Sequence, residues 1–273
     1  MNVMDSFVLL AQIPKEDFAI FSAILGLFLG SFYNVCADRY LAGQSILWPP
    51  SHCEACQTPL KPWELIPVVS WVCLRGRCAH CGAKVSFQYP LAELISAVLA
   101  YFVGLRFGVS FAYLTVLIFT GLFLILSLID FKAYLLPDRF TLPGAVIALF
   151  ASVYGLGNAW IDVMLGALVG GGLFGALAWG YKRLRGIDGL GWGDVKLMLM
   201  LGALCTFPYL SMMIFFAGVL ALVGFAVVGV TKKRTEDVHS MALPFGPFLC
   251  MGAWVTLLWG PMLWQMWFNW IVG

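Results

Sequence analysis

The stretch from residue 109 to residue 130, VSFAYLTVLIFTGLFLILSLID, decides the class of fold. Its one charged side chain is the aspartate at its end, Asp130. An α-helix rises about 1.5 Å per residue, so about 20 apolar residues cross a hydrocarbon core of roughly 30 Å. The stretch therefore predicts a transmembrane helix that ends in a carboxylate.

The rest of the chain has the same character. Of its 273 residues, 62% are hydrophobic and 11% are charged, and the mean hydropathy is +0.91. This composition predicts an all-α polytopic membrane protein with about eight transmembrane helices and a small insert between the first two. The predicted spans are about 18–37, 90–105, 109–130, 140–158, 160–181, 194–206, 208–230 and 244–270.

The distribution of lysine and arginine predicts the orientation. Fourteen of the 16 basic residues lie in four segments, namely 38–89, 131–139, 182–196 and 231–243. The intervening loops near 159 and 207 have no lysine or arginine, and the two exceptions are Lys15 and Arg106. Cytoplasmic loops carry the excess of basic residues, so these four segments are expected in the cytoplasm. Topology accounts for the basic residues, and we predict no nucleic-acid partner.

Three regions follow from this arrangement. We expect an N-terminal segment with the first helix at 1–37, a cytoplasmic insert at 38–89 and a transmembrane core at 90–273. The other cytoplasmic loops are short, so chemistry outside the insert must lie close to the membrane.

The insert contains two CxxC pairs, Cys53 with Cys56 and Cys78 with Cys81. Two such pairs can supply four thiolates to a tetrahedral zinc ion. Disulfides are the alternative, but the predicted cytoplasmic position is reducing and favours metal. His52 and His80 are alternative ligands that are better explained as loop residues. The four other cysteines are interpreted as small buried apolar residues: Cys36, Cys73, Cys205 and Cys250.

Four acids lie in or beside the predicted spans, where ionisable groups are costly and are functional candidates by default. Asp162 begins a span and is expected at the membrane interface. Glu93 is expected in the first turn of its helix, where it either stabilises the helix end or has a function. Asp130 and Asp194 are the remaining candidates.

The stretch GLGWGDVK, residues 189–196, precedes an unusually short span. From Asp194 to Phe207 a helix would be only about 21 Å long, less than the hydrocarbon thickness of roughly 30 Å. Asp194 is then expected below the cytoplasmic surface. Non-helical backbone from Gly189 to Gly193 at that depth needs hydrogen-bond partners, which either protein or a water-filled cavity must supply.

Two carboxylates near one membrane face suggest an aspartic-protease pair, in which they share a proton. The alternative is that each aspartate only ends a helix. An acid at a helix C-terminus, such as Asp130, opposes the helix dipole, so helix stability does not explain it. The same dipole argument predicts Asp194 as the base and Asp130 as the acid.

The chain resembles the bacterial type IV prepilin peptidases, which are leader peptidases and N-methyltransferases. The resemblance is carried by GSFYNVCADR (30–39), the CxxC pairs, IPVVSWVCLRGRC (66–78), YPLAELI (89–95), IDFKAYLLPDRFTLP (129–143), GLGWGDVKLM (189–198) and LPFGPFL (243–249). It implies that Asp130 and Asp194 are the catalytic pair, and that Asp138 is not. It also implies that Gly76 and the zinc-binding insert serve methylation.

The resemblance implies an activity, partners and a location. Leaders of prepilins and pseudopilins would be cleaved after a glycine at the cytoplasmic face of the bacterial inner membrane. The new N-terminal residue would then be methylated with S-adenosylmethionine, whose binding residues the sequence does not identify. Partners would be these substrates, the bilayer and, indirectly, pilus or type II secretion machinery.

Three alternatives stay open at this point. One is a peptidase without methyltransferase activity. Another is a non-catalytic, zinc-scaffolded component of a secretion or pilus machine. The third is a transporter, which predicts acids at the bilayer midplane and repeat symmetry, and neither is evident.

Overall fold

The computed structural model describes residues 13–186, 191–231 and 243–272. Within these ranges the chain is helical, and its extended pairing is limited to two isolated β-bridges in the insert. The helices are α1 Lys15–Leu41, α2 Val69–Cys73, α3 Gln88–Phe107, α4 Phe111–Ala133, α5 Asp138–Tyr154, α6 Trp160–Arg185, α7 Trp192–Thr231 and α8 Gly246–Val272, with a 3₁₀ helix at Pro62–Leu65.

Six of the described helices are long and apolar enough to cross a membrane, which confirms the all-α polytopic fold class. The six are α1, α3, α4, α6, α7 and α8. Helix α5 replaces the span predicted at 140–158 and has 17 residues. The predicted spans 194–206 and 208–230 both fall within α7. The count of eight spans therefore stays a prediction.

Helix α7 contains a break where the sequence places Pro208. Thr206 has the non-helical dihedral angles φ 63° and ψ 163°, so α7 consists of two helical parts. The first part, from Trp192 to Cys205, is about 21 Å long at the usual helical rise. The short helix predicted after GLGWGDVK is thus present, and its last residue, Cys205, lies three positions before Pro208.

The chain divides into two compact units, and the boundary between Ile125 and Leu126 lies inside α4. The first unit contains α1, the insert, α3 and most of α4. The second contains the end of α4 and helices α5 to α8. The regions predicted at 1–37, 38–89 and 90–273 follow the membrane segments rather than packing, and they stay a prediction.

In the first unit, α1 and α3 pack closely because small residues face each other. A Cβ atom built on Gly26 would lie 2.7 Å from Ala100 Cβ. The Ser22 hydroxyl donates to the Ala100 carbonyl at 2.7 Å and lies 2.9 Å from the Tyr113 hydroxyl of α4. Close contact of small residues is the usual way in which membrane helices associate.

In the second unit, the first part of α7 forms the core. Leu197, Met198, Met200, Leu201 and Leu204 are all at most 2% exposed. The glycine-rich face of α6 packs closely against α7, since a Cβ atom on Gly166 would overlap the carbonyl of Gly202 in α7. The first part of α7, which has Asp194 in its first turn, is therefore enclosed by protein.

Candidate active site

Asp130 lies in the last turn of α4 and is 5% exposed. The helix ends three residues later, where Tyr134 takes a positive φ of 53° and donates its amide to the Asp130 carbonyl. Pro137 then precedes the first residue of α5, Asp138. The D-x6-PD segment is thus a helix end, a four-residue connection and a helix start.

Asp194 lies in the first turn of α7 and is half-buried. Its amide donates to the carbonyl of Gly191, the residue before the helix, at 3.0 Å. The carboxylate at this position has a favourable interaction with the helix dipole. Asp194 therefore lies one turn before the buried residues of α7.

The prediction of a non-helical turn from Gly189 to Gly193 is wrong at its end. Trp192 and Gly193 already belong to α7, and Gly189 lies outside the described residues. Gly193 lies close to a neighbouring segment. A Cβ atom built on it would lie 2.9 Å from Leu136 Cβ, so the glycine admits a neighbouring side chain.

The two carboxylates belong to the same unit and interact electrostatically with each other. Both also interact with the thiol of Cys250 in α8, which is 3% exposed. Two acids that share a poorly solvated site cannot both ionise easily, so they favour a state that holds one proton between them.

A third segment completes the surroundings of Asp130. The amide of Gly246, the first residue of α8, donates to Asp130 Oδ2 at 3.1 Å. A Cβ atom on Gly246 would lie 2.6 Å from the same oxygen. The position therefore admits the carboxylate only because the residue is glycine. The stretch LPFGPFL contributes to the family resemblance, but its sequence does not indicate this role for Gly246.

Leu136 joins these segments. It is 8% exposed and contacts the backbone at both Gly193 and Gly246. The start of α7, the start of α8 and the connection after Asp130 therefore pack around one leucine. No sequence signal distinguished Leu136 from the many other leucines.

Asp138, which the resemblance excludes from the catalytic pair, forms an ion pair of its own. Its carboxylate accepts two hydrogen bonds from Lys196 Nζ, at 2.6 and 2.8 Å, and the pair is partly exposed. Lys196, two residues after Asp194, therefore forms an ion pair with the first residue of α5.

The four predicted zinc ligands come together in the first unit. The sulfur atoms of Cys53, Cys56, Cys78 and Cys81 all lie within 4.8 Å of one another, and those of Cys53 and Cys81 are 3.9 Å apart. A tetrahedral ion with Zn–S distances of about 2.3 Å requires sulfur atoms about 3.8 Å apart. The donor set therefore fits zinc.

The two CxxC pairs have the same local structure. The first is enclosed by a β-bridge between His52 and Pro59, and the second by one between Arg77 and Lys84. In each pair the residue after the second cysteine has a positive φ, at Gln57 and Gly82. Each half of the site is thus a compact loop that presents two sulfur atoms.

Hydrogen bonds prepare two of the thiols for metal. The hydroxyl and amide of Thr58 lower the pKa of Cys56 to about 6. The amides of Cys81 and His80 lower the pKa of Cys78. Thiolates are the form that binds zinc, so these hydrogen bonds favour the binding state.

The remaining candidates are placed as follows. His80 contacts Glu64 at 3.4 Å and His52 contacts the Pro50 carbonyl, so both are loop residues as expected. Cys36, Cys205 and Cys250 are buried as predicted, whereas Cys73 is exposed because it ends the short helix α2 on the surface of the insert. Asp162 lies in the first turn of α6.

Gly76 is buried between α2 and the second CxxC pair. Its φ is +66°, and a Cβ atom on it would lie 2.8 Å from the ring of Trp71. A side chain there is excluded by both backbone conformation and space. Glu93, expected in the first turn of its helix, lies in the second turn of α3, because that helix begins at Gln88.

Comparisons with known proteins identify the family. Residues 24–107 match the model described as Bacterial Peptidase A24 N-terminal domain, and residues 117–226 match Type IV leader peptidase family. No solved structure gives a significant match.

Curated relatives match over most of the chain. A "Prepilin leader peptidase/N-methyltransferase" of Stutzerimonas stutzeri is 34% identical over 90% of this chain and 92% of its own. A protein of the same name from Aeromonas hydrophila is 37% identical over 79% of this chain and 73% of its own. The chain therefore belongs to the prepilin leader peptidase/N-methyltransferase family.

Proposed function

We propose that this multi-pass membrane protein removes the leader from prepilins and pseudopilins with the Asp130–Asp194 pair and then methylates the new N-terminal residue. The observation that carries the proposal is the packing of Leu136 against the start of α7, which contains Asp194, and against Gly246, whose amide donates to Asp130 Oδ2. The family and the names of its curated members support both activities.

Peptide hydrolysis follows from a pair that shares one proton. Asp194 takes a proton from water while the water oxygen attacks the scissile carbonyl carbon, and the protonated Asp130 donates to the carbonyl oxygen. When the carbon–nitrogen bond breaks, the leaving amine takes its proton from Asp194, and a hydroxyl of the tetrahedral intermediate returns a proton to Asp130. Because Oδ2 of Asp130 accepts the Gly246 amide, its proton is carried on Oδ1.

The insert serves the second activity. Cys53, Cys56, Cys78 and Cys81 would hold a zinc ion, which supplies a structural crosslink between the two CxxC loops. The methyl group moves from the sulfur of S-adenosylmethionine to the nitrogen of the new N-terminal amine, which releases a proton. Gly76, between α2 and the second loop, belongs to the segment that we assign to this step.

Location follows from the same chemistry. We propose the bacterial inner membrane, with both activities on the cytoplasmic side, where the basic loops lie. A cationic leader would stay in the cytoplasm while the adjoining apolar segment lies in the bilayer. Pilus or type II secretion machinery then receives the mature substrate. The transporter and scaffold alternatives gain no support from the comparisons.

The test is incubation of the purified protein with a prepilin and S-adenosylmethionine, followed by mass spectrometry. We expect loss of a leader and then gain of one methyl group. Asp194→Asn should remove the general base and Asp130→Asn should remove the acid that shares its proton, so each should lower cleavage by at least about a thousandfold. Asp138→Asn is the matched control and should retain cleavage. Full activity of either pair variant would contradict the proposal.

A further inference from the structure

Glu93 is a buried carboxylate that neither the aspartate pair nor the cysteine cluster uses. It lies in α3, in the first unit, and is 6% exposed. A buried acid is tolerated only where hydrogen bonds compensate for its lost solvation. The partners of Glu93 therefore indicate what it holds.

The contacts of Glu93 come from two other parts of the first unit. Glu93 Oε2 accepts the amide of Val68 in the insert at 2.7 Å. The backbone of Glu93 also lies against α1, since a Cβ atom built on Gly30 would be 2.7 Å from Glu93 Cα. One residue of α3 thus joins the insert to α1.

The contact holds Val68 in an unusual conformation. Val68 has a φ of 61° and a ψ of −49°, which a β-branched residue rarely adopts. Such a conformation persists only where the surroundings enforce it. The hydrogen bond to Glu93 is a contact that can do so, because it fixes the direction of the Val68 amide.

Val68 leads directly to the segment that contains Gly76. Helix α2 begins at the next residue, and its Trp71 donates its indole N–H to the Val85 carbonyl at 3.2 Å. The Trp71 ring packs against Gly76, whose amide donates to the Trp71 carbonyl at 2.8 Å. Cys78 follows two residues later. The position of Val68 is therefore transmitted to Gly76 and to the second CxxC loop.

We propose that Glu93 is a positioning residue for methyl transfer, which anchors the Gly76 segment to helices α1 and α3. The proposal rests on the methyltransferase half of the proposed function. It assigns Glu93 no contact with substrate. It predicts that the two activities separate when the anchor is removed, because the aspartate pair belongs to the other unit.

The experiment compares Glu93→Ala, Glu93→Gln and the control Glu16→Ala, an exposed acid near the start of α1. Cleavage, methylation and bound zinc are measured on the full-length protein with a prepilin and S-adenosylmethionine. We expect Glu93→Ala to lower methylation at least about tenfold, the effect of losing one hydrogen bond to a charged group, while cleavage and zinc change less than about twofold.

The glutamine variant separates positioning from general damage to the fold. Its side-chain oxygen can still accept the Val68 amide, so it should restore much of the methylation lost in Glu93→Ala. A parallel loss of cleavage and methylation in Glu93→Ala would overturn the proposal. Unchanged methylation in that variant would also overturn it.

A second measurement keeps this inference distinct from the proposed function. Failure of the wild-type protein to methylate would contradict the methyltransferase assignment and leave the anchor to be tested on its own. Trypsin cleaves after Arg75 and Arg77, both exposed and close to Gly76. Glu93→Ala should be cut there faster than the wild type and the Glu16→Ala control. Equal rates would overturn the anchoring role.

Discussion

The cysteine cluster and the aspartate pair are assembled in opposite ways. The cysteines span only 28 positions and come from two loops of the same local structure. The aspartate site needs the end of α4, the start of α7 and Gly246, which is 116 positions from Asp130. Local structure builds the first site, whereas helix packing builds the second. Substitution of its own cysteines should therefore disrupt the cysteine cluster, whereas substitutions at distant packing contacts should disrupt the aspartate pair.

Among substitutions outside the aspartate pair, Gly246→Ala should have the largest effect on cleavage, because it introduces a methyl group 2.6 Å from Asp130 Oδ2. The carboxylate must move, and misplacement of a catalytic group by about 1 Å lowers rates by about a hundredfold. We expect such a loss of prepilin cleavage with the protein still inserted in the membrane. Gly218→Ala is the control, since a Cβ atom on Gly218 has nothing within 4 Å. Equal cleavage by the two variants would show that Gly246 does not position Asp130.

Cys56→Ser should break the cysteine cluster without affecting the aspartate pair. Loss of one of four thiolates removes most of the affinity of a structural zinc site. We expect bound zinc, measured by elemental analysis, to fall well below one ion per chain, and methylation to fall at least about tenfold. Cys73→Ser is the matched control, because Cys73 is exposed and outside the cluster. A metal-free wild-type protein would contradict the zinc assignment.

The same contrast explains what could be predicted from the sequence. The CxxC spacing predicted which four cysteines come together, because the loops that contain them are local. The length of the apolar runs predicted most of the membrane helices, because a span requires about 20 apolar residues. The break in α7 lies at the end of the predicted span 194–206, close to Pro208, because proline interrupts a helix.

What the sequence could not predict depends on packing between distant segments. Gly246 and Leu136 carry no motif of a catalytic group, and only the fold brings them to Asp130. Glu93 could be identified as a buried acid, but its partner Val68 is 25 positions away in a connection without regular periodicity. The helical start of α7 at Trp192 was mistaken for a turn, because glycines predict turns unless tertiary contacts stabilise a helix.

Gly202→Ala tests the packing that supports the aspartate site without contacting it. A Cβ atom at Gly202 overlaps the backbone of Gly166 in α6, so the two helices must separate. We expect a destabilisation of about 1–3 kcal/mol, typical of overpacking, measured by thermal unfolding in detergent. Gly172→Ala is the control in α6, because a Cβ atom there has nothing within 4 Å. Equal unfolding temperatures would show that the close contact is not required for stability.

Lys196→Met should have the smallest effect, and it tests whether the aspartate site includes the ion pair between Lys196 and Asp138. Lys196 lies only two residues after Asp194, yet its partner is Asp138, whose side chain is 58% exposed. An ion pair this exposed contributes at most about 1 kcal/mol, and salt weakens it further. We expect prepilin cleavage within about twofold of the wild type and a slightly lower unfolding temperature at low salt. A loss comparable to that of Asp194→Asn would mean that the ion pair holds the start of α7 in place, and that the aspartate site extends to Asp138.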